Sequence, residues 1–153
     1  RDDGEENELG PILMDKDGFS GFAKRLRHRI SEKLSQLPTR KSAVIVVDTS
    51  ETFEGPESVY LAAYGDLEVI SHRQAGIGII DSHLQHKGNG LFANSTRLSA
   101  IVYQKRSPAP DREICLFRYV FPTNNQKAVF HLDEQMLAKF GIPKDQTVNL
   151  NEL

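Results

Sequence analysis

Lys41-Ser42-Ala43-Val44-Ile45-Val46-Val47-Asp48 is the stretch that decides the fold class. Ala43 to Val47 is a short, continuous apolar run rich in β-branched side chains. That composition predicts a strand buried on both faces, the kind that lies inside an α/β sheet. The run stops at Asp48, with Thr49, Ser50, Glu51 and Glu54 after it. Ligands of open α/β sheets collect at the carboxyl ends of strands. Asp48, with Glu51, is therefore a candidate polar site. The alternative is an aspartate whose side chain bonds the backbone of its own turn.

Just upstream, Phe19, Phe22, Ala23, Leu26, Ile30, Leu34 and Leu37 recur at spacings of three and four. They form one apolar face of an amphipathic helix. Asp17 or Ser20 can cap its start, and Pro38 ends it. Its other face holds Lys24, Arg25, Arg27, His28, Arg29 and Lys33. Such a face can lie against phosphates or simply be solvated.

Downstream, Pro56 to Tyr64 reads as a short helix with proline in its first turn and Gly65 past its end. Leu67 to Ile70 and Ile77 to Ile80 read as short strands, and Asp81 to Gly90 as a polar loop or turn. Arg97 to Gln104 and Glu113 to Phe121 predict an antiparallel hairpin around the exposed connection KRSPAPDRE. Leu132, Met136, Leu137 and Phe140 give the inner face of a short helix that Gly141 ends. The tail from Gln146 reads as an edge strand or a loose end. The expectation is an α/β domain: a mixed sheet of about five strands, flanked by the N-terminal amphipathic helix and the short C-terminal helix.

Composition sets the frame. The chain has 153 residues, 39% of them hydrophobic and 26% charged, with a net charge of −2. These values suit one globular domain with its own core. No apolar run approaches the length that spans a bilayer, so no membrane partner is expected and the predicted compartment is cytoplasmic. The charge is uneven. Residues 1–17 sum to −5, residues 18–41 to +6 and residues 42–153 to −3. The first of these reads as an acidic flexible tail, leaving 18–153 as the domain. A chain that starts at Arg1 without a signal-peptide pattern reads as a piece of something longer.

Chemistry-bearing motifs are sparse. His83 and His86 lie three apart, with Asp81 just before them. Imidazole and carboxylate suit zinc or iron, which makes Asp81, His83 and His86 weak metal candidates; His72 joins them only through folding. Cys115 is a single thiol, so it forms no internal disulfide and no cysteine-built zinc site. It reads as a packed small hydrophobe in its strand. No nucleophile-elbow or P-loop pattern occurs, and no cofactor is predicted. Asn94, Ser95, Thr96 and Arg97 could hold an anion, or form a turn whose side chains bond their own backbone.

Five pieces together carry a family likeness: Gln36-Leu37-Pro38, Val44 to Asp48, Tyr64-Gly65-Asp66, Gly90 to Val102 and Phe121 to Asn125. In this order they resemble the C-terminal half of uncharacterised prokaryotic restriction-endonuclease-like proteins, over roughly residues 24–125. The resemblance implies the flank of a nuclease-like core, or a degenerate relative of one. Catalysis in that fold uses a carboxylate and an acidic-x-Lys pair around Mg²⁺. None of the nine lysines here has an acidic residue two positions before it. The resemblance therefore carries no catalytic residue onto this chain.

Three functions follow as expectations. The first is a non-catalytic module that meets nucleic acid through Lys24, Arg25, Arg29, Lys33 and Arg97. The second is an interaction or assembly domain, pairing with itself through edge strands and exposed aromatics such as Phe53, Tyr60 and Phe92. The third is a metal-dependent hydrolase built on Asp48, Glu51 or Glu54 with Asp81, His83 or His86.

Overall fold

The computed structural model describes residues 18–108, 114–139, 141–142 and 146–149. The acidic segment 1–17, the connection 109–113 and Phe140 lie outside the described residues, as does the Cys115 side chain. Helix α1 runs Gly18–Ser31, β1 Ala43–Asp48, α2 Pro56–Tyr64, β2 Leu67–Gln74 and β3 Gly78–His86. After these come β4 Leu98–Pro108, β5 Ile114–Pro122 and α3 Glu134–Lys139. The fold is α/β, as the sequence predicts, with five strands among the described residues, but these divide into two groups instead of one mixed sheet. β1, β4 and β5 form a mixed sheet in the order β1-β4-β5, and β2 and β3 form a separate antiparallel ribbon.

β1 pairs with β4 in parallel, and β4 pairs with β5 in antiparallel register. Strand β4 is therefore the interior strand. Side chains alternate between the faces of a strand, and β4 buries both sets. Ile101 and Tyr103 face a core shared with Ala23 and Ile30 of α1 and Val59, Ala62 and Ala63 of α2. Ala100 and Val102 face a second core with Val120 and Ile142, against which Leu132 and Leu137 pack. Helices thus cover both faces of the sheet, which accounts for the all-apolar middle of β4.

The β1 expectation needs correcting. β1 is an edge strand, and Val46 is 54% exposed. A continuous apolar run does not distinguish a central strand from an edge strand with one open side.

Helix α1 is shorter than its apolar spacing predicts. After Ser31 the chain tightens, with Lys33 N donating to the Ile30 carbonyl at 2.9 Å. A short 3₁₀ turn, Leu34–Gln36, follows. Leu37 is extended (ψ 148°), as a residue before proline prefers.

Tyr64-Gly65-Asp66 closes α2 against Asn89-Gly90. Gly65 has φ +109°, a conformation that suits glycine. Leu91 N donates to the Ala62 carbonyl at 3.0 Å, and Lys87 N to the Asp66 carbonyl at 2.8 Å. The Tyr64 hydroxyl donates to the Pro122 carbonyl at 2.7 Å and ties the same corner to β5. Burial, with the nearby Tyr60 and Tyr119, pushes the Tyr64 phenol well above its ordinary value.

Candidate functional site

Asp48 ends β1 and is fully engaged. One carboxylate oxygen accepts from the Ser50 hydroxyl and from the Ser50 backbone N–H, the latter at 2.9 Å. The other accepts from Gln104 Nε2 at 2.8 Å. Gln104 in turn accepts from Arg118 Nε at 3.0 Å. The Ser50 hydroxyl, then the Ser50 N–H and then Gln104 favour the ionised form, with Arg106 adding charge, and hold the carboxyl at about 2. This is the turn-bonding aspartate, an ordered acceptor facing its own loop. Glu51 is exposed on that turn. Glu54 accepts from Ser58 at 2.7 Å and serves the start of α2. Among the described residues these carboxylates join no group able to hold a metal.

The basic residues part company. Lys24, Arg25, Arg29 and Lys33 are exposed along α1 and the segment after it. His28 and Arg29 lie in the last helical turn, where positive charge complements the carbonyl end of the helix. Arg27 faces inward and pairs with Asp66. Arg97 donates to the Ser35 carbonyl at 3.3 Å and braces the 3₁₀ turn.

The polar turn before β4 bonds itself. Asn94 Nδ2 donates to the Gly90 carbonyl at 3.0 Å, and the Ser95 hydroxyl accepts from Leu98 N at 3.2 Å. Asn125 Nδ2 reaches the Phe92 carbonyl at 2.8 Å and locks the turn to the end of β5. Of the three aromatics expected at the surface, Phe53 is 74% exposed, Tyr60 is half-buried and Phe92 is fully buried. Phe92 begins the 3₁₀ turn Phe92–Asn94, which carries its ring into the core beside Tyr64.

The histidines regroup. His83 and His86 are three apart on a strand, so they point to opposite faces. His86 turns inward. Its Nδ1 lies 2.8 Å from the Gly65 carbonyl and its Nε2 lies 3.0 Å from the Tyr60 hydroxyl. With the proton on Nδ1, the ring donates to Gly65 and accepts from Tyr60, which satisfies both nitrogens. His86 is thus a structural histidine and leaves the metal set. His72 takes its place: His72, Asp81 and His83 bring ligand atoms within 4.8 Å of one another, all on exposed side chains. The His72–Asp81 contact comes from the β2–β3 register, which sets the two residues opposite each other. Nothing in the local sequence shows that pairing.

An apolar groove of about 550 Å³ opens between α2, β5 and the base of the ribbon. Tyr60, Leu61, Leu67, Tyr119 and Phe121 line it. Leu67 also begins an exposed row on one ribbon face. Val69 sits opposite Leu84 in the register, 64% and 65% exposed, and Ser71 sits opposite Ser82. At the ribbon tip, Ile77 and Ile79 are 66% and 57% exposed. The Leu67/Val69 alternation was the available sequence signal for this face. Among the described residues no helix is long and apolar enough to cross a membrane. No family model, no curated protein and no solved structure matches the chain.

Proposed function

We propose that this chain is a non-catalytic assembly module that pairs with a second copy of itself through the β2–β3 ribbon. The observation that carries this reading is the bare apolar row Leu67, Val69 and Leu84 on a ribbon that, among the described residues, pairs with no third strand. A two-stranded ribbon alone is marginally stable in water, and further strands or packed apolar surface make it secure. Unpaired strand edges are templates for another chain.

Charge favours a second copy as the partner. From Leu67 to Ser71 and from Ser82 to His86, the apolar ribbon face carries no acidic or basic side chain except the internally bonded His86. Such a face meets its own copy without like-charge repulsion, as a two-fold interface requires. An eight-residue strand extends about 27 Å. Antiparallel pairing of two such arms would bring the Ile77 tip of one to the groove at the base of the other.

Analytical ultracentrifugation across a concentration series tests the reading. The expected result is a monomer–dimer equilibrium that Val69→Glu and Leu84→Glu each shift to monomer, while Phe53→Glu leaves it in place. A monomer at every concentration, or dimers indifferent to Val69→Glu and Leu84→Glu, would overturn it.

One observation favours a second reading, the nucleic-acid module. Lys24, Arg25, Arg29 and Lys33 remain exposed along α1 and the segment after it. If these four groups meet phosphates, affinity for a DNA duplex falls with salt at a log–log slope of roughly −3 to −4. Fluorescence anisotropy at two salt concentrations reads this directly, and an absence of binding at low salt removes the reading.

A further inference from the structure

The other face of the ribbon carries a different chemistry. We infer that His72, Asp81 and His83 form a binding site for a divalent transition metal ion, with Zn²⁺ as the best-matched species. The inference uses the ribbon geometry alone and does not depend on self-pairing, because the apolar row lies on the opposite face.

Register builds the site. His72 stands directly opposite Asp81, and His83 follows Asp81 by two residues, on the same face. The His72 and His83 rings lie 6.0 Å apart, centroid to centroid. His72 Nδ1 and Asp81 Oδ2 are 3.4 Å apart, a long contact that small rotations can open around an ion. The register shifts between His72 and Arg73. Bulges of this kind re-aim side chains and are common beside functional sites. Here the shift follows immediately after the ligand that sequence spacing left out.

The donor set selects the ion. Two imidazole nitrogens and one carboxylate oxygen are poor ligands for Ca²⁺ and Mg²⁺, which prefer all-oxygen shells. Imidazole suits Zn²⁺, Ni²⁺ and Cu²⁺. Three protein ligands leave the fourth tetrahedral position of Zn²⁺ to water. All three side chains are exposed, so the ion enters without any rearrangement of the core. Binding needs both rings neutral at the ligating nitrogen and therefore competes with protons.

Isothermal titration of the metal-free chain with Zn²⁺ at pH 7.5 tests the site, with imidazole NMR as the second readout. One Zn²⁺ per chain is expected. His72→Gln and His83→Gln should each weaken binding by about tenfold or more, since even outer partners of metal ligands are worth 10–100-fold. His131→Gln, a change at an exposed histidine elsewhere, should leave affinity unchanged. Affinity should also fall at pH 5, where protons compete with the ion for imidazole nitrogens. At one equivalent, the ring signals of His72 and His83 should move while those of His28, His86 and His131 stay. No saturable binding, binding that survives both glutamine variants, or shifts centred on the other histidines would overturn the inference. Because these side chains project into solvent, the variants keep the fold, and the amide spectrum verifies this.

Discussion

The Arg27 guanidinium grips both carboxylate oxygens of Asp66, at 3.1 and 3.0 Å, across 39 positions of sequence. Its Nη1 also donates to the Leu61 carbonyl at 3.0 Å, near the end of α2. Asn89 Nδ2 donates to the same carboxylate at 3.1 Å, and Asn89 Oδ1 accepts from Asp66 N at 2.9 Å. One fork therefore joins α1, the end of α2 and the loop before β4.

Arg27→Ala should destabilise the fold by roughly 2–3 kcal/mol. Breaking a buried pair costs about 3–5 kcal/mol, and the 12% and 18% exposure of these side chains reduces that through solvent screening. Arg27→Lys should recover only part of the loss, because an ammonium lacks the two-pronged geometry. Burial pushes the Asp66 carboxyl up, but the bonds from Arg27 and Asn89 and the charges of Arg27 and Lys87 outweigh it, so its pKa is lowered. A carboxylate with a lowered folded pKa contributes stability that is present above the unfolded value of 3.8 and fades as pH falls through the folded one. Urea denaturation from pH 7 down to pH 3 measures both effects. An Arg27→Ala change within about 0.5 kcal/mol of wild type, the range of ordinary surface substitutions, would show that the fork is decorative.

Gly90 should tolerate no side chain. A Cβ there would lie 2.6 Å from the Ala63 carbonyl oxygen and 2.6 Å from Gly65 N, both backbone atoms that cannot step aside. Gly90→Ala should cost about 1–3 kcal/mol or more through overpacking. Gly76 makes the useful comparison. It has φ +82° with open space around it, so Gly76→Ala should cost only the left-handed strain of about 1–2 kcal/mol. Melting curves for the pair separate the two causes: equal losses would mean that the close approach at Gly90 adds nothing.

How much of this was legible in the sequence differs by element. α1 was legible because one buried face leaves a periodic trace, and the β4–β5 hairpin because two apolar-rich runs flank a charged, proline-containing connection. β3 was not fully legible. Its segment from Asp81 to His86 reads as a polar loop, because Leu84 is the single hydrophobic side chain in it and leaves no alternation to read. The edge position of β1 was hidden because strand order is a long-range property. The site follows the same logic. Asp48 was placed correctly at a strand end, and its turn-bonding role was one of the two readings open to it. His86 was grouped with His83 by proximity in sequence, whereas strand parity separates them and cross-strand register supplies His72.

Phe92 and Phe53 put the burial argument to a direct test. Both were expected at the surface, yet Phe92 is fully buried beside Tyr64, at a ring separation of 5.3 Å, and Phe53 is 74% exposed. Phe92→Ala should cost about 3–5 kcal/mol, the sum of lost transfer energy and the cavity left behind. Phe53→Ala should stay within about 0.5 kcal/mol. Chemical denaturation of the two variants reads the contrast, and comparable losses would contradict the placement of the Phe92–Asn94 turn.

Asp48 should reveal its hydrogen bonds through its titration. The Ser50 hydroxyl and N–H and the Gln104 amide all stabilise the carboxylate, which is held at about 2 against an ordinary 3.8. The direction of the shift fixes the sign. The ionised form is favoured in the folded state, so the contribution is present above pH 3.8 and disappears as pH falls toward 2. Carboxyl ¹³C NMR should show the Asp48 carboxyl titrating well below the ordinary aspartate value of 3.8. Ser50→Ala removes the largest cause and should raise the midpoint, whereas Glu51→Gln, a neighbouring change outside the bonded set, should leave it nearly where it was. An ordinary midpoint in the wild type would mean that the Ser50 and Gln104 bonds do not persist in solution, and that Asp48 is free to serve another ligand at the end of β1.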